Sequence, residues 1–169
     1  LQDNLFMIRE GIRSMIDELR NICGNLRPPT IDSLGLNAAI LSFAQDWSKR
    51  TGIGIELDLD PQIGRISETI ELSIYRIVQE GLSNIHKHAS ASKARILLNR
   101  ISPRTIMLSI EDDGKGMDEE FVLKAYSKDG HYGLIGIEER VALLGGRLRV
   151  QNRNEGGTVI QAEIPHPRR

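Results

Sequence analysis

Residues 79–89 read Gln79-Glu80-Gly81-Leu82-Ser83-Asn84-Ile85-His86-Lys87-His88-Ala89, and they close a helical pattern that starts at a Ser67 N-cap. At about 100° per residue, Ile70, Ile74, Ile77, Val78 and Ile85 fall on one arc, the face such a helix buries. Glu80, Asn84 and His88 follow one another at four-residue spacing along the edge of that arc, with Lys87 beside them. An acid, an amide, an imidazole and an ammonium on the rim of a buried face make a candidate site. The Asn84 carboxamide oxygen is a hard ligand suited to Mg²⁺. Lys87 and His88 can meet phosphate oxygens, and Glu80 can orient or deprotonate a nucleophile. A solvated helix edge with a satisfied histidine accounts for the same residues, so this helix alone does not decide. His86 and His88 stand two apart on it and point in widely separated directions, which argues against a metal pair.

Outward from this helix, the pattern alternates strands and helices. Toward the N-terminus, Ile53, Ile55, Leu57 and Leu59 alternate with small or acidic residues, as a half-buried strand does. Before it, Asp32 or Ser33 caps a helix running to about Thr51, with Leu36, Ile40, Phe43, Ala44 and Trp47 on one face and Gly52 at its end. Toward the C-terminus, Ala94 to Ile101 and Thr105 to Glu111 form two strands joined around Ser102-Pro103. A loop-rich stretch from Asp112 to His131, with a short helix around 118–126, leads to a helix from Leu134 to Leu144 closed by Gly145-Gly146. Two last strands, Arg147 to Asn152 and Thr158 to Ile164, flank a turn at Gly156-Gly157. The expected fold is an α/β two-layer sandwich: a mixed sheet of about five strands covered by helices.

Residues 1–26 differ in kind. Leu1, Leu5, Ile8, Ile12, Met15, Leu19, Ile22 and Leu26 mark a heptad seam, widened by Phe6, Met7, Ile16 and Cys23. A stripe that broad fits a four-helix bundle, such as one shared between two chains, better than a two-stranded coil; a helix that packs on its own domain accounts for the same stripe. Pro28-Pro29 cannot continue the helix and makes a natural linker. The expected division is therefore 1–29, part of a dimerisation helix, and 30–169, a globular domain. A seam already under way at Leu1 is what a piece of a longer chain would show, with any membrane segment upstream.

Two further stretches carry ligand chemistry. Glu111-Asp112-Asp113-Gly114-Lys115-Gly116 directly follows an apolar strand, and alternate glycines let backbone approach a flat ligand closely. Asp112 can accept a hydrogen bond from an exocyclic amine. Asp-Gly is also a common hairpin turn, but Met117-Asp118-Glu119-Glu120-Phe121 does not alternate as a returning strand would. Gly130-His131-Tyr132-Gly133-Leu134-Ile135-Gly136 then runs into a helix, whose free N–H groups favour an anion. No Gly-Lys-Ser/Thr follows, so it is not a Walker loop, and no strand directly precedes it, so it is not a dinucleotide fingerprint.

The balance of the chain narrows the classes. With 22 Lys and Arg against 23 Asp and Glu, the net charge is −1, and no basic face for nucleic acid stands out. One cysteine, Cys23, allows no internal disulfide and fits a reducing compartment. No apolar run approaches a membrane span of about 20 residues, so a cytoplasmic location is expected.

The three stretches occur in an order that resembles sensor histidine kinases of the subgroup that partners NarL-type response regulators. Residues 79–89 resemble their asparagine box, Asp112-Asp113-Gly114-Lys115-Gly116-Met117 their first glycine box, and Gly133-Leu134-Ile135-Gly136-Ile137-Glu138-Glu139-Arg140 their second. Leu26-Arg27-Pro28-Pro29 with Leu34-Gly35-Leu36 resembles the junction between dimerisation helix and ATP domain, and Gly156-Gly157-Thr158 also fits. The resemblance implies a Bergerat-type fold with ATP held between helices and a lid at about Asp118 to Tyr132. It also implies Asn84 on Mg²⁺, Glu80 as candidate base, and Lys87 and His88 near phosphates. Asp112 would read the adenine amine, Gly114 and Gly116 would shape its pocket, Gly133 and Leu134 would lie at the phosphate end, and Thr158 near the adenine. The implied partners are a second copy in the full-length protein, an upstream sensor domain and a NarL-type regulator. One departure stands out: His86, His88, His131 and His166 all lie outside the segment like the second bundle helix, so the phosphate-accepting histidine is expected upstream of Leu1. A related anti-sigma-type serine kinase and a non-catalytic nucleotide-binding or dimerisation module are the competing readings.

Overall fold

The computed structural model describes residues 28–117 and 132–166, the side chains of Tyr132 and Gly133 excepted. The heptad segment, the dimerisation expected of it, the short helix expected around 118–126 and the expected lid lie outside the described residues. In chain order the elements are α1 (Pro29–Leu34), α2 (Leu36–Thr51), β1 (Gly54–Leu59), a 3₁₀ turn (Pro61–Ile63) and α3 (Glu68–Asn84). A turn of π-helix (Ile85–Ala89), β2 (Lys93–Ser102), β3 (Thr105–Asp112), α4 (Tyr132–Leu143), β4 (Arg147–Asn152) and β5 (Thr158–Pro165) complete them.

The five strands form one mixed sheet in the order β1-β2-β3-β5-β4, parallel only between β1 and β2. Its registers align whole rows of apolar residues. Leu57, Ile96, Ile110, Ile160 and Val150 lie side by side, as do Leu59, Leu98, Leu108, Ala162 and Leu148. These rows face the helices. The opposite face is largely polar: Glu56, Arg95 and Glu111 form one row, and Asp58, Leu97, Ser109, Gln161 and Arg149 the next. A sheet apolar on one side only needs one helical layer, which makes the two-layer sandwich. Among the described residues no helix is long and apolar enough to cross a membrane.

α3 is the central element of that layer. Ser67 Oγ accepts from the Ile70 N–H, and Ile70, Ile74, Ile77, Val78 and Leu82 are buried. Gly81 marks where α3 presses hardest on the sheet: a Cβ built there would come 2.6 Å from Ile110 Cδ1 of β3. The glycine lets helix and strand close up one turn before Asn84, which brings the helix end toward the C-terminal end of β3.

Two expectations shift at helix ends. Asp32 and Ser33 do not cap a helix; they lie inside α1, which starts with Pro28 as an extended N-cap and Pro29 in its first turn. Proline costs nothing there because the first N–H groups of a helix have no partner. Gly35, at φ +86, separates α1 from α2. The other shift is at the end of α3, where α-helical geometry stops at Asn84 and residues 85–89 widen to π-helix. Ser90 then turns the chain toward β2 in the left-handed region, φ 52. The remaining elements lie within two residues of their expected bounds, and Gly52 and Gly145 end their helices with positive φ.

Candidate functional site

Asp112 is the one acid in the rows that face the helices. Register places it opposite Ala94, which lies opposite Ile55, at the sheet end nearest the π-turn. It is 5% exposed, and its Oδ1 accepts the Gly114 N–H at 2.8 Å. Burial pushes its carboxyl above the ordinary range, and the backbone N–H groups of Gly114 and Thr158 pull it partly back. A carboxylate held by two backbone donors, yet still desolvated, is poised to accept one more hydrogen bond.

The glycine stretch behind Asp112 is shaped by the protein around it. A Cβ on Gly114 would collide with the backbone of Ala89 in the π-turn, and the Lys115 N–H donates to Ala89 O at 2.9 Å. Thus the close approach that Gly114 permits is to the chain's own π-turn, which ties the first glycine stretch to the asparagine-bearing helix. Gly116 adopts φ +75 and faces the Asn152 side chain. Asp113, though exposed, anchors the other side. Its carboxylate accepts from Ser92 Oγ at 2.6 Å and from the Ser92 and Lys93 N–H groups at 2.8 Å each, and these bonds hold it below the ordinary carboxylate range.

Glu80 and Asn84 are half-buried on α3, one turn apart. The Asn84 amide nitrogen is shut off from solvent and has no hydrogen-bond partner among the described residues. An orphaned buried amide costs about 1–3 kcal/mol unless something satisfies it. His86, Lys87 and His88 are all exposed on the π-turn. That corrects the picture of His88 as a rim residue in line with Asn84: the i→i+5 turn breaks the four-residue spacing. Gly133 and Leu134 open α4, which packs on α3, and Leu134 is half-buried against the core.

The structure therefore brings Asp112, Gly114, Gly116 and Thr158 together at one sheet end and attaches the end of α3 to them through Ala89. A cavity of about 580 Å³ opens nearby, lined by Glu56, Lys93, Arg95, Glu111, Asp113 and Arg153 among others. Ile55, Ala94 and Asp112 of the helix-facing row also line it, whereas Glu80, Asn84, Gly114 and Thr158 do not. Sequence reasoning missed Asn152, Arg153 and the stapling role of Asp113. An Asp beside glycine at a strand exit signals a side-chain-to-backbone bond, so Asp113 was open to being found; nothing local marks the other two.

Comparisons with known proteins bear on this geometry. Residues 69–168 match the family described as histidine kinase-, DNA gyrase B-, and HSP90-like ATPase. The signal transduction histidine-protein kinase/phosphatase DegS of Brevibacillus brevis is 32% identical over 158 residues, 94% of this chain and 39% of its own. Sensor histidine kinase ComP of Bacillus subtilis is 35% identical over 164 residues, 97% of this chain and 21% of its own. The oxygen sensor histidine kinase NreB of Staphylococcus carnosus is 32% identical, covering 92% of this chain and 44% of its own. The chain thus spans less than half the length of these relatives. In fold, it resembles the histidine kinase domain of the Erythrobacter litoralis EL346 blue-light activated histidine kinase (TM-score 0.66, 23% identity, 77% of this chain and 60% of that one). It also resembles full-length ShkA solved with AMPPNP (TM-score 0.71, 17% identity, 99% of this chain and 39% of that one).

Proposed function

The chain belongs to the histidine kinase-, DNA gyrase B-, and HSP90-like ATPase family, and on that premise we propose that it is the ATP-binding catalytic unit of a sensor histidine kinase. The observation that carries the reading is Asp112, a desolvated carboxylate set by two backbone donors in an otherwise apolar row. Such a group takes the exocyclic amine of adenine. Gly114 and Gly116 would shape its pocket by letting the stretch close on Ala89 and Asn152, and the Thr158 N–H adds a donor that fixes its orientation.

The orphaned Asn84 amide supports the rest of the site. With the amide nitrogen as the buried atom, the Asn84 oxygen would be the one to hold Mg²⁺, which when bound neutralises phosphate charge. Lys87 and His88, exposed one turn on, would contact phosphate oxygens, with the first turn of α4 at Gly133 and Leu134 nearby. Glu80, one turn before Asn84, would orient or deprotonate the attacking group. Catalysis by such a set is mostly positioning and charge neutralisation.

The acceptor would be a histidine outside residues 1–169, since residues 1–26 contain none. Residues 1–29 would be part of a dimerisation helix and 30–169 the catalytic domain. The phosphate would pass on to an aspartate of a NarL-type regulator, a reading that the similarity to DegS and NreB supports, under the control of an upstream sensor domain. Incubating the chain with Mg-ATP and separately supplied acceptor helices tests this. Phosphohistidine on the helices is the expected product; its absence, with ATP bound, would leave a nucleotide-binding module without kinase activity.

A further inference from the structure

We propose that Asn152 and Arg153, where β4 ends, are positioning residues for the nucleotide site: they grip the Asp112–Met117 stretch at its two ends without touching the nucleotide. The inference rests on Asp112 being the adenine acceptor.

At the far end of the stretch, the Asn152 side chain acts as a piece of strand. Its Oδ1 accepts the Met117 N–H at 2.7 Å, and its Nδ2 donates to Met117 O at 2.6 Å. Both backbone groups of Met117 are thereby satisfied by one amide, which only a side chain with a donor and an acceptor in one plane can do. Gly116 adopts φ +75, where an L side chain is strained, and a Cβ there would come 3.0 Å from Asn152 Oδ1, a contact the amide would have to yield to.

At the near end, the Arg153 guanidinium donates through Nη1 to Asp112 O at 3.0 Å. The Arg153 N–H donates to Gly157 O at 2.9 Å, which folds residues 153–157 back on themselves. That turn presses Gly157, φ +88, against the Asp112 carbonyl and leads into Thr158, whose N–H reaches the Asp112 carboxylate. Asn152 and Thr158 are register partners on β4 and β5, so both grips come from one rigid strand pair. The stretch that would frame the adenine thus takes its shape from this pair as well as from α3.

A staple that merely stabilises the fold would change stability alone; a positioning pair changes how the site discriminates. Asn152→Leu keeps the volume and removes both bonds, while Arg153→Gln removes the charged donor and Arg153→Lys keeps one. In the full chain, Asn152→Leu and Arg153→Gln should each weaken ADP binding about tenfold and narrow its preference over GDP. Arg153→Lys should recover part of that loss. Val141→Ala, a core change in α4, serves as a control that lowers stability and leaves the ADP-to-GDP ratio unchanged. Amide hydrogen exchange reads the grip without nucleotide: the Met117 N–H should be protected in the wild type and fast in Asn152→Leu. Equal exchange in both, or unchanged discrimination in a wild type and variants that all bind ADP, would overturn the proposal. A folded wild type that binds no ADP would instead sink the nucleotide-site reading on which it rests, while the exchange result would still report whether the grip exists.

Discussion

Gly157 sits so close to Asp112 that a Cβ built on it would overlap the Asp112 carbonyl oxygen. Two strands meet there with no room for a side chain, and Gly157 also adopts φ +88, where an L side chain is strained. Gly157→Ala therefore incurs both penalties, and because the obstacle is backbone it cannot swing aside. The expected loss is about 2–4 kcal/mol of unfolding free energy, from left-handed strain and overpacking together. Urea denaturation measures it. Gly145→Ala, with positive φ but nothing within 4 Å of its Cβ, should lose only about 1 kcal/mol.

Adjacent Asp112 and Asp113 should titrate in opposite senses. Burial raises the Asp112 carboxyl, so the folded state holds its proton more tightly than the unfolded chain. This penalty is absent below the ordinary carboxylate pKa, grows as pH rises and is complete above the raised value. Asp112→Asn should therefore gain stability over the wild type at neutral pH, with the gain shrinking as pH falls through that window.

For Asp113, hydrogen bonds from Ser92 and Lys93 lower the carboxyl. Its contribution is fully present above the ordinary value and is lost as pH falls through the depressed one. Asp113→Ala should cost less than about 1 kcal/mol at neutral pH, because solvent screens an exposed carboxylate, with the difference shrinking in acid. Unfolding midpoints across pH for wild type and both variants check the two signs; parallel curves would contradict them.

Asn84→Ala removes an amide whose nitrogen has no partner among the described residues. Apo stability should hold or rise, because no hydrogen bond to a described residue is broken and an orphaned donor is removed. The predicted defect is functional: nucleotide binding that no longer tightens when Mg²⁺ is added. Titrations of ADP with and without Mg²⁺ check this.

Most of the architecture was readable from periodicity. Alternation in 53–59, 94–101 and 105–111 and the Ile70-to-Ile85 arc reflect burial on one face, and burial is what apolar spacing encodes. The helix ends were less readable. The π-turn at Ile85–Ala89 packs on the glycine stretch, where the Lys115 N–H bonds Ala89 O, and such tertiary contact leaves no local mark. Asp112 stood out as an acid at the end of an apolar strand, whereas Asn152 and Arg153 act through partners 35 and 41 residues away.

The central claim is that the Asp112 end of the sheet holds adenine, and calorimetric titration of Mg-ADP and Mg-ATP into this chain and into Asp112→Ala tests it most directly. The account predicts micromolar binding by the wild type and loss of that binding in the variant while it remains folded. A folded wild type that takes up neither nucleotide, or an Asp112→Ala variant that binds as tightly as the wild type, would contradict it.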